Sequence, residues 1–384
     1  MVIKKKKRIL YIMPNNPLIG KAGNVTRCNQ MLDYFERNHE TLEVDFASVL
    51  HWDEWTEKEI KQFKVRFPHI SLHLIERKVP SKKIFKYIIE YKIPKLFAIK
   101  NPIDLTTFHY RKQVRRIIEK SKYDIVVVSY ATWGNLVDRS MGAYLILDTH
   151  DFMTLQFKDQ SSKNLIGKQL EKEIKVLNKF DEIWTYSVEE QYIFEQFTDA
   201  NKVTLIPVSF PKRMIRNRDV RFDVVYVASD NPHNQRSIEW YLSEVLPQLN
   251  GVKTYIAGPI CTKIGDYEGV VKLGIVEDVD QLYRYSKLTI CPMLSGTGIK
   301  IKVLESLSYG LPVVTTRRGV DGLVNKSENG CIVADSAAEF AYQIRRLLSD
   351  EDYYQMHERY GLNFHRLHYS TEAEKNVLDN VFLD

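Results

Sequence analysis

The chain has 384 residues, a length that suits two domains of ordinary size, each able to bury its own core. Its hydrophobic fraction of 44% and charged fraction of 27% are those of a soluble globular protein and exclude a disordered or low-complexity chain. The net charge of +6 leaves nucleic acid, an anionic membrane surface or an acidic substrate open, so its distribution matters more than its size.

Along the chain, short apolar runs alternate with longer amphipathic ones, the sign of parallel sheets covered by helices. The basic start, MVIKKKKRILYIM, leads into a short strand and not into a cleavable signal core. In the first half the pattern predicts strands over 9–13, 44–48, 70–74, 125–129, 144–147, 182–185 and 204–206, with helices over 25–37 and 110–120. The loop between the first strand and first helix carries Gly20, Gly23 and Asn24. Arg27 lies one turn into that helix, facing a phosphate or solvent.

Charge concentrates at residues 4–8 and across 77–100. In the second stretch Arg77, Lys78, Lys82, Lys83, Lys86, Lys92, Lys95 and Lys100 face a single acid, Glu90, with aromatic and aliphatic residues between them. Such a segment suits an anionic membrane surface or a groove for a lipid-linked acceptor. The other reading is a solvated helix with one core-facing stripe. No helix-turn-helix, RRM or zinc-finger pattern accompanies the bases, so no nucleic-acid partner is expected.

Trp133 and Gly134 follow the strand 125–129 on a second strand-end loop. The run LILDTHDF ends a buried strand in Asp148, His150 and Asp151, which puts polar groups at the strand end where α/β folds bind ligands. Asp151 reads either as a contact to a substrate hydroxyl or as the N-cap of the next helix.

Residues 211–221, with Lys212, Arg213, Arg216, Arg218 and Arg221, have no buried periodicity and read as a linker. The pattern then restarts, with strands over 222–228, 253–257, 270–273, 287–291 and 311–315 and helices over 235–249, 278–286, 336–348 and 351–365. The expected organisation is a domain over 1–210, the linker, a second domain over 222–365, and a tail over 366–384.

The most informative stretch is 294–316, LSGTGIKIKVLESLSYGLPVVTT. A small-residue turn, Ser295, Gly296, Thr297 and Gly298, runs into a helix whose N-terminal N–H groups and dipole suit a phosphate, and glycine lets a ligand approach the backbone. Lys302 and Glu305, three residues apart, project from one face near that end. A cation there meets a diphosphate while a carboxylate accepts two sugar hydroxyls. The cysteines, Cys28, Cys261, Cys291 and Cys331, lack a paired CxxC spacing, so reduced thiols are expected.

This order of residues resembles the nucleotide-sugar site of the retaining glycosyltransferases of family 4, on the counterparts Gly298, Glu305, Gly310, Pro312, Val313 and Val314. The usual pattern has a second glutamate eight positions ahead of Glu305; here Thr297 holds that slot. The threonine-glycine form, with lysine three before the glutamate, looks like a branch of the family. The resemblance is specific over about residues 222–322. It implies the GT-B fold, α/β with two Rossmann-like domains whose parallel sheets face a central cleft, and a tail that crosses back onto the first domain.

For function, the resemblance implies a metal-independent hexosyltransferase without cofactor. It would move a sugar, with retention, from a nucleotide-diphosphate sugar to a glycan or lipid-linked acceptor in cell-surface polysaccharide or glycoconjugate synthesis. No Asp-x-Asp metal signature stands in a suitable strand-end loop. A cytoplasmic location is expected, peripheral on the inner face of the cell membrane. By the same resemblance His150, Lys302 and Asp151 are catalytic, and Gly23, Asn24, Ser229, Asn234, Ile275, Thr297, Gly298, Ile299, Lys300 and Glu305 bind donor. Arg27, Trp133 and Gly134 line the acceptor side, and Gly319, Asp321 and Gly322 close the site near the sugar. Where relatives carry glycine-arginine and then lysine, this chain has Ala228, Ser229 and Asn234, so Lys302 is the substitute cation, with Lys300 and Arg236 in reserve. Two other readings stay open: a non-catalytic GT-B adaptor subunit and a nucleotide-sugar epimerase.

Overall fold

The structure is a computed structural model that describes residues 5–20, 23–51, 53, 55–77, 84–93, 103–156, 163–213 and 219–383. Much of the basic segment (78–83 and 94–100) and part of the predicted linker (214–218) lie outside the described residues. The chain divides into two compact units. One comprises Met1–Tyr186, Glu190–Ile206 and Leu378–Asp384; the other comprises Ser187–Glu189 and Pro207–Val377.

The first unit is built on seven strands: β1 (Lys7–Ile12), β2 (Leu42–Val49), β3 (Ile70–Ile75), β4 (Ile125–Ser129), β5 (Tyr144–Asp148), β6 (Glu182–Thr185) and β7 (Lys202–Leu205). They pair in parallel in the order β3-β2-β1-β4-β5-β6-β7. Continuous apolar strands such as IVVVS in β4, buried at every position, are what a sheet covered on both faces demands. The strand order reverses between β1 and β4. The loops that leave their C-terminal ends therefore diverge there and open the crevice where such sheets take ligands. Asn24 follows β1, Tyr130 follows β4, and His150 follows the adjacent β5. Phe382, from the last helix, packs on Phe35 at 5.1 Å and Trp184 at 5.9 Å.

The second unit repeats the plan with β8 (Phe222–Val227), β9 (Thr254–Ala257), β10 (Val270–Gly274), β11 (Ser286–Cys291), β12 (Val313–Thr315) and β13 (Cys331–Val333), all parallel, in the order β10-β9-β8-β11-β12-β13. Here the order reverses between β8 and β11. That topology brings the loop after β8 (Ala228 to Asn231) beside the glycine turn after β11. The predicted parallel α/β class is thus the observed one.

Among the elements that differ from expectation, two show a local cause. The helix predicted over 235–249 begins at Pro232, where Asn231 caps it by accepting from the Asn234 N–H, and it gives way after Trp240 to a π-turn and a 3-10 turn at Pro247. Proline has no N–H to continue the α pattern. Strand β13 is only three residues long, too short for periodicity to mark it.

Candidate functional site

In the second unit the helix Ile301–Ser308 starts directly after the glycine turn, with Lys300 as its N-cap. Gly296 and Gly298 hold φ of +99° and +68°, a left-handed backbone that glycine adopts at little cost. The space where a Gly298 Cβ would sit is open. Lys300 does not point away from the turn: its buried Nζ donates to the carbonyls of Gly298 at 2.6 Å and Thr297 at 3.3 Å. Lys302 Nζ donates to Asn234 Oδ1 at 3.0 Å and Tyr226 OH at 3.4 Å, lying 4.5 Å from the Tyr226 ring centre. Burial lowers the Lys302 ammonium to about 8 and pushes Lys300 down as well.

Both ammonium groups bond only neutral oxygens, and among the described residues no carboxylate forms an ion pair with either. Two desolvated cations at a helix N-terminus, where backbone N–H groups lack intrahelical acceptors, make an anion site. Asn234 is nearly buried and anchored in turn, its Nδ2 donating to Ser229 O at 3.1 Å and Ser229 Oγ at 3.2 Å. Ser229 and Asn234 thus hold Lys302 in place. Ile299 is backed by Gly322, whose φ is +88° and whose missing Cβ would meet the Ile299 backbone at 2.9 Å. The Gly322 N–H donates to Glu189 Oε2 at 2.8 Å, and Lys326 Nζ donates to Glu189 Oε1 at 2.6 Å.

One turn along the helix, Glu305 accepts from Tyr283 OH at 3.1 Å, and burial raises its carboxyl above the ordinary range. Tyr283 stacks on Tyr309 at 5.2 Å, and Arg213 Nη1 donates to Tyr309 OH at 2.8 Å. Sequence reading missed Tyr226, Tyr283 and Tyr309, because an aromatic in an apolar run reads as core. Only their hydroxyls, which need partners when buried, could have signalled otherwise. Ile275, just past β10, is 79% exposed.

In the first unit, His150 and Tyr130 both have positive φ, +58° and +68°, a costly backbone for residues with a Cβ and one that clusters at functional sites. Their rings stack at 4.4 Å. The His150 side chain is 5% exposed, with Nε2 lying 3.4 Å from Asp148 Oδ2; neither atom makes a hydrogen bond. Burial lowers the imidazole below its usual range and so favours its neutral form. Asp148 Oδ1 accepts from Tyr186 OH, which accepts from Arg27 Nε at 2.9 Å. Asn24 bonds Asn15 Oδ1 at 3.3 Å, and the space beside Gly23 is open.

In this unit the structure corrects the placement of Trp133 and Gly134 and removes one of the two readings left open for Arg27 and for Asp151. Trp133 and Gly134 are not exposed loop residues. Trp133 is 2% exposed and packs edge-on to Tyr110 at 5.5 Å, while a Cβ on Gly134 would meet Val176 at 2.4 Å. A six-residue 3-10 segment, Ala131–Leu136, turns the chain back into the core there. Arg27 does not face solvent: it is 4% exposed and held on Tyr186. Asp151 does not cap the following helix, Met153–Gln156. Glu173, wholly buried, accepts from Met153 N at 2.9 Å, Thr154 N at 2.8 Å and Thr154 Oγ1 at 2.6 Å. Burial leaves the Asp151 carboxyl raised to about 6. Glu173→Ala strands those donors, so urea unfolding is expected to show a loss of about 2–3 kcal/mol, with Glu173→Gln costing less.

Residues 221–350 match the family model of Glycosyl transferases group 1. A Klebsiella pneumoniae protein named "Uncharacterized 44.6 kDa protein in cps region" is 24% identical over 129 residues, a match that covers 29% of this chain and only 33% of that relative's length. Among solved structures, Anabaena HepE in complex with UDP and glucose superposes with a TM-score of 0.64 at 14% identity, covering 97% of this chain and 98% of that one. The pneumococcal O-GlcNAc transferase GtfA in complex with UDP and GlcNAc gives 0.62 at 11% identity, over 99% of both chains. The lipopolysaccharide outer core galactosyltransferase WaaB, in its apo form, gives 0.62 at 13%, over 98% of this chain and 99% of that one. Likeness at such identities speaks for the fold: the chain has the GT-B fold, and its second unit carries the stretch that matches the group 1 glycosyltransferase model.

Proposed function

We propose that this chain is a retaining, metal-independent hexosyltransferase of family 4 that moves a sugar from a nucleotide-diphosphate sugar to a hydroxyl of a glycan or lipid-linked acceptor. The pathway proposed for it is cell-surface polysaccharide or glycoconjugate synthesis. The observation that carries the reading is the pair of buried ammonium groups, Lys300 and Lys302, which lack a carboxylate partner among the described residues at the start of Ile301–Ser308. In this reading a diphosphate supplies the missing negative charge, and Glu305, one turn on, accepts from the two ribose hydroxyls. UDP in the HepE and GtfA complexes supports a nucleotide donor for this chain.

In the proposed reaction the acceptor oxygen bonds to the anomeric carbon as the bond from that carbon to the diphosphate breaks. The acceptor's proton passes to the leaving phosphate oxygen, on the same face, which gives retention without a strong base. Lys302 stabilises the charge that develops on the diphosphate. Neutral His150 offers the transferred sugar a single hydrogen bond, and Asp151 orients the acceptor hydroxyl. The test is incubation with a panel of UDP-, GDP- and dTDP-sugars, with and without membrane lipid extract, followed by NMR of the product. Transfer with the donor's anomeric configuration kept is expected. An inverted product overturns retention, donor binding without turnover indicates an adaptor subunit, and sugar conversion without acceptor indicates an epimerase.

A further inference from the structure

Within the basic segment, the helical turns Ile84–Tyr87 and Ile88–Lys92 present their apolar stripe outward. Phe85 is 85% exposed, Ile89 60%, Ile93 43% and Ile88 41%. The spacing i, i+3, i+4, i+8 puts all four on one face. Glu90, the only acid between 77 and 100, is turned the other way and buried: its Oε2 lies 2.8 Å from His109 Nδ1 and its Oε1 2.7 Å from Lys112 Nζ. Among the described side chains of this segment, these four apolar groups face outward while the one acid faces in.

The surroundings give that outward stripe a sign. The helix that receives Glu90, Phe108–Ser121, carries Arg111, Lys112, Arg115, Arg116 and Lys120 against one acid, Glu119; Arg111 also pairs with Asp104, and Arg115 reaches Glu119 and Asp138, which leaves Arg116 and Lys120 to face solvent. Phe108 at its start is 52% exposed. Lys92 lies at the end of the stripe, and seven more bases stand in the sequence between 77 and 100. An isolated apolar face would suit many partners. One flanked by bases, with its single acid withdrawn and neutralised, is complementary to a surface that is apolar inside and negative outside.

We propose that residues 84–93 form a membrane-docking element, in which Phe85, Ile88, Ile89 and Ile93 enter the acyl boundary of an anionic bilayer while neighbouring bases hold its headgroups. The withdrawal of Glu90 onto His109 and Lys112 keeps a like charge away from the headgroups and fixes the face that is presented. This stands apart from the donor-site reading, because it involves no residue of the second unit.

The test is vesicle flotation of the full chain. Wild-type protein is expected to float with phosphatidylcholine vesicles containing about 30 mol% phosphatidylglycerol and to bind pure phosphatidylcholine at least about tenfold more weakly. Phe85→Ser/Ile89→Ser is expected to lower anionic-vesicle binding by about tenfold or more, with the thermal melt and UDP binding unchanged. Equal binding of wild type and double variant overturns the proposal, as does absence of binding to either vesicle. A concentration-dependent dimer that the double substitution abolishes, without vesicle binding, assigns the face to a second copy of the chain and also overturns it.

Discussion

Lys302→Met is expected to lower the transfer rate by about 10²–10³-fold, while the melting temperature stays the same or rises. The rate effect follows from placing a fixed cation where diphosphate charge grows, in a site largely removed from water; losing one such group typically costs about 3–4 kcal/mol in the transition state. The stability effect follows from the native pocket, where Lys302 Nζ has only Asn234 Oδ1, Tyr226 OH and the Tyr226 ring for company and is pulled down to about 8. A base whose folded pKa lies below its ordinary 10.5 burdens the fold most at low pH. Between about 8 and 10.5 the unfolded chain holds a proton the folded one has lost, so that burden fades as the pH rises. Donor binding has the opposite sense. A diphosphate favours the charged lysine, so affinity is expected to fall as the pH rises through about 8, and Lys302→Arg should remove that fall. Steady-state rates and a pH series of donor titrations check both.

Gly258→Ala is expected to destabilise the second unit by about 3 kcal/mol or more and to weaken donor binding with it. Gly258 has φ +103° and ψ −179°, a region populated almost only by glycine. The added Cβ would lie 2.2 Å from the Ala228 carbonyl oxygen, a backbone atom that no rotamer change can move. Relief requires the β8 loop to shift, and the next residue, Ser229, anchors the Asn234 that holds Lys302. Chemical denaturation measures the first effect and nucleotide titration the second. Wild-type stability with intact donor affinity would show that the β8 loop is not a fixed support.

The fold was legible because parallel strands buried on both faces announce themselves. Apolar runs such as ILYIM, IVVVS and YLILD can hardly be read otherwise, and their alternation with amphipathic stretches gives the class. Strand β13, CIV, was lost for the converse reason, since three residues carry no period. At the site, glycines, Lys302 and Glu305 stood out because their chemistry is local to one turn and one helix. What spacing could not supply was direction. Trp133 on a strand-end loop is chemically ready to line a ligand, yet packing against Tyr110 takes it inward. Asp151 is an apt N-cap by residue type, yet Glu173, 20 residues beyond Met153 in sequence, takes the role. The same limit hid the outward face of 84–93, because a helical stripe looks identical whether it faces core or solvent; only the partners of Glu90 decide it.

The central claim is that the start of Ile301–Ser308 holds the diphosphate and ribose of a sugar donor, and Glu305 tests it most directly. Calorimetric titration of the donor nucleotide into wild type and Glu305→Ala, each shown folded by circular dichroism, is predicted to give about 10–100-fold weaker binding in the variant, the loss of hydrogen bonds from two hydroxyls to a carboxylate. Equal affinity in the two proteins would contradict the account.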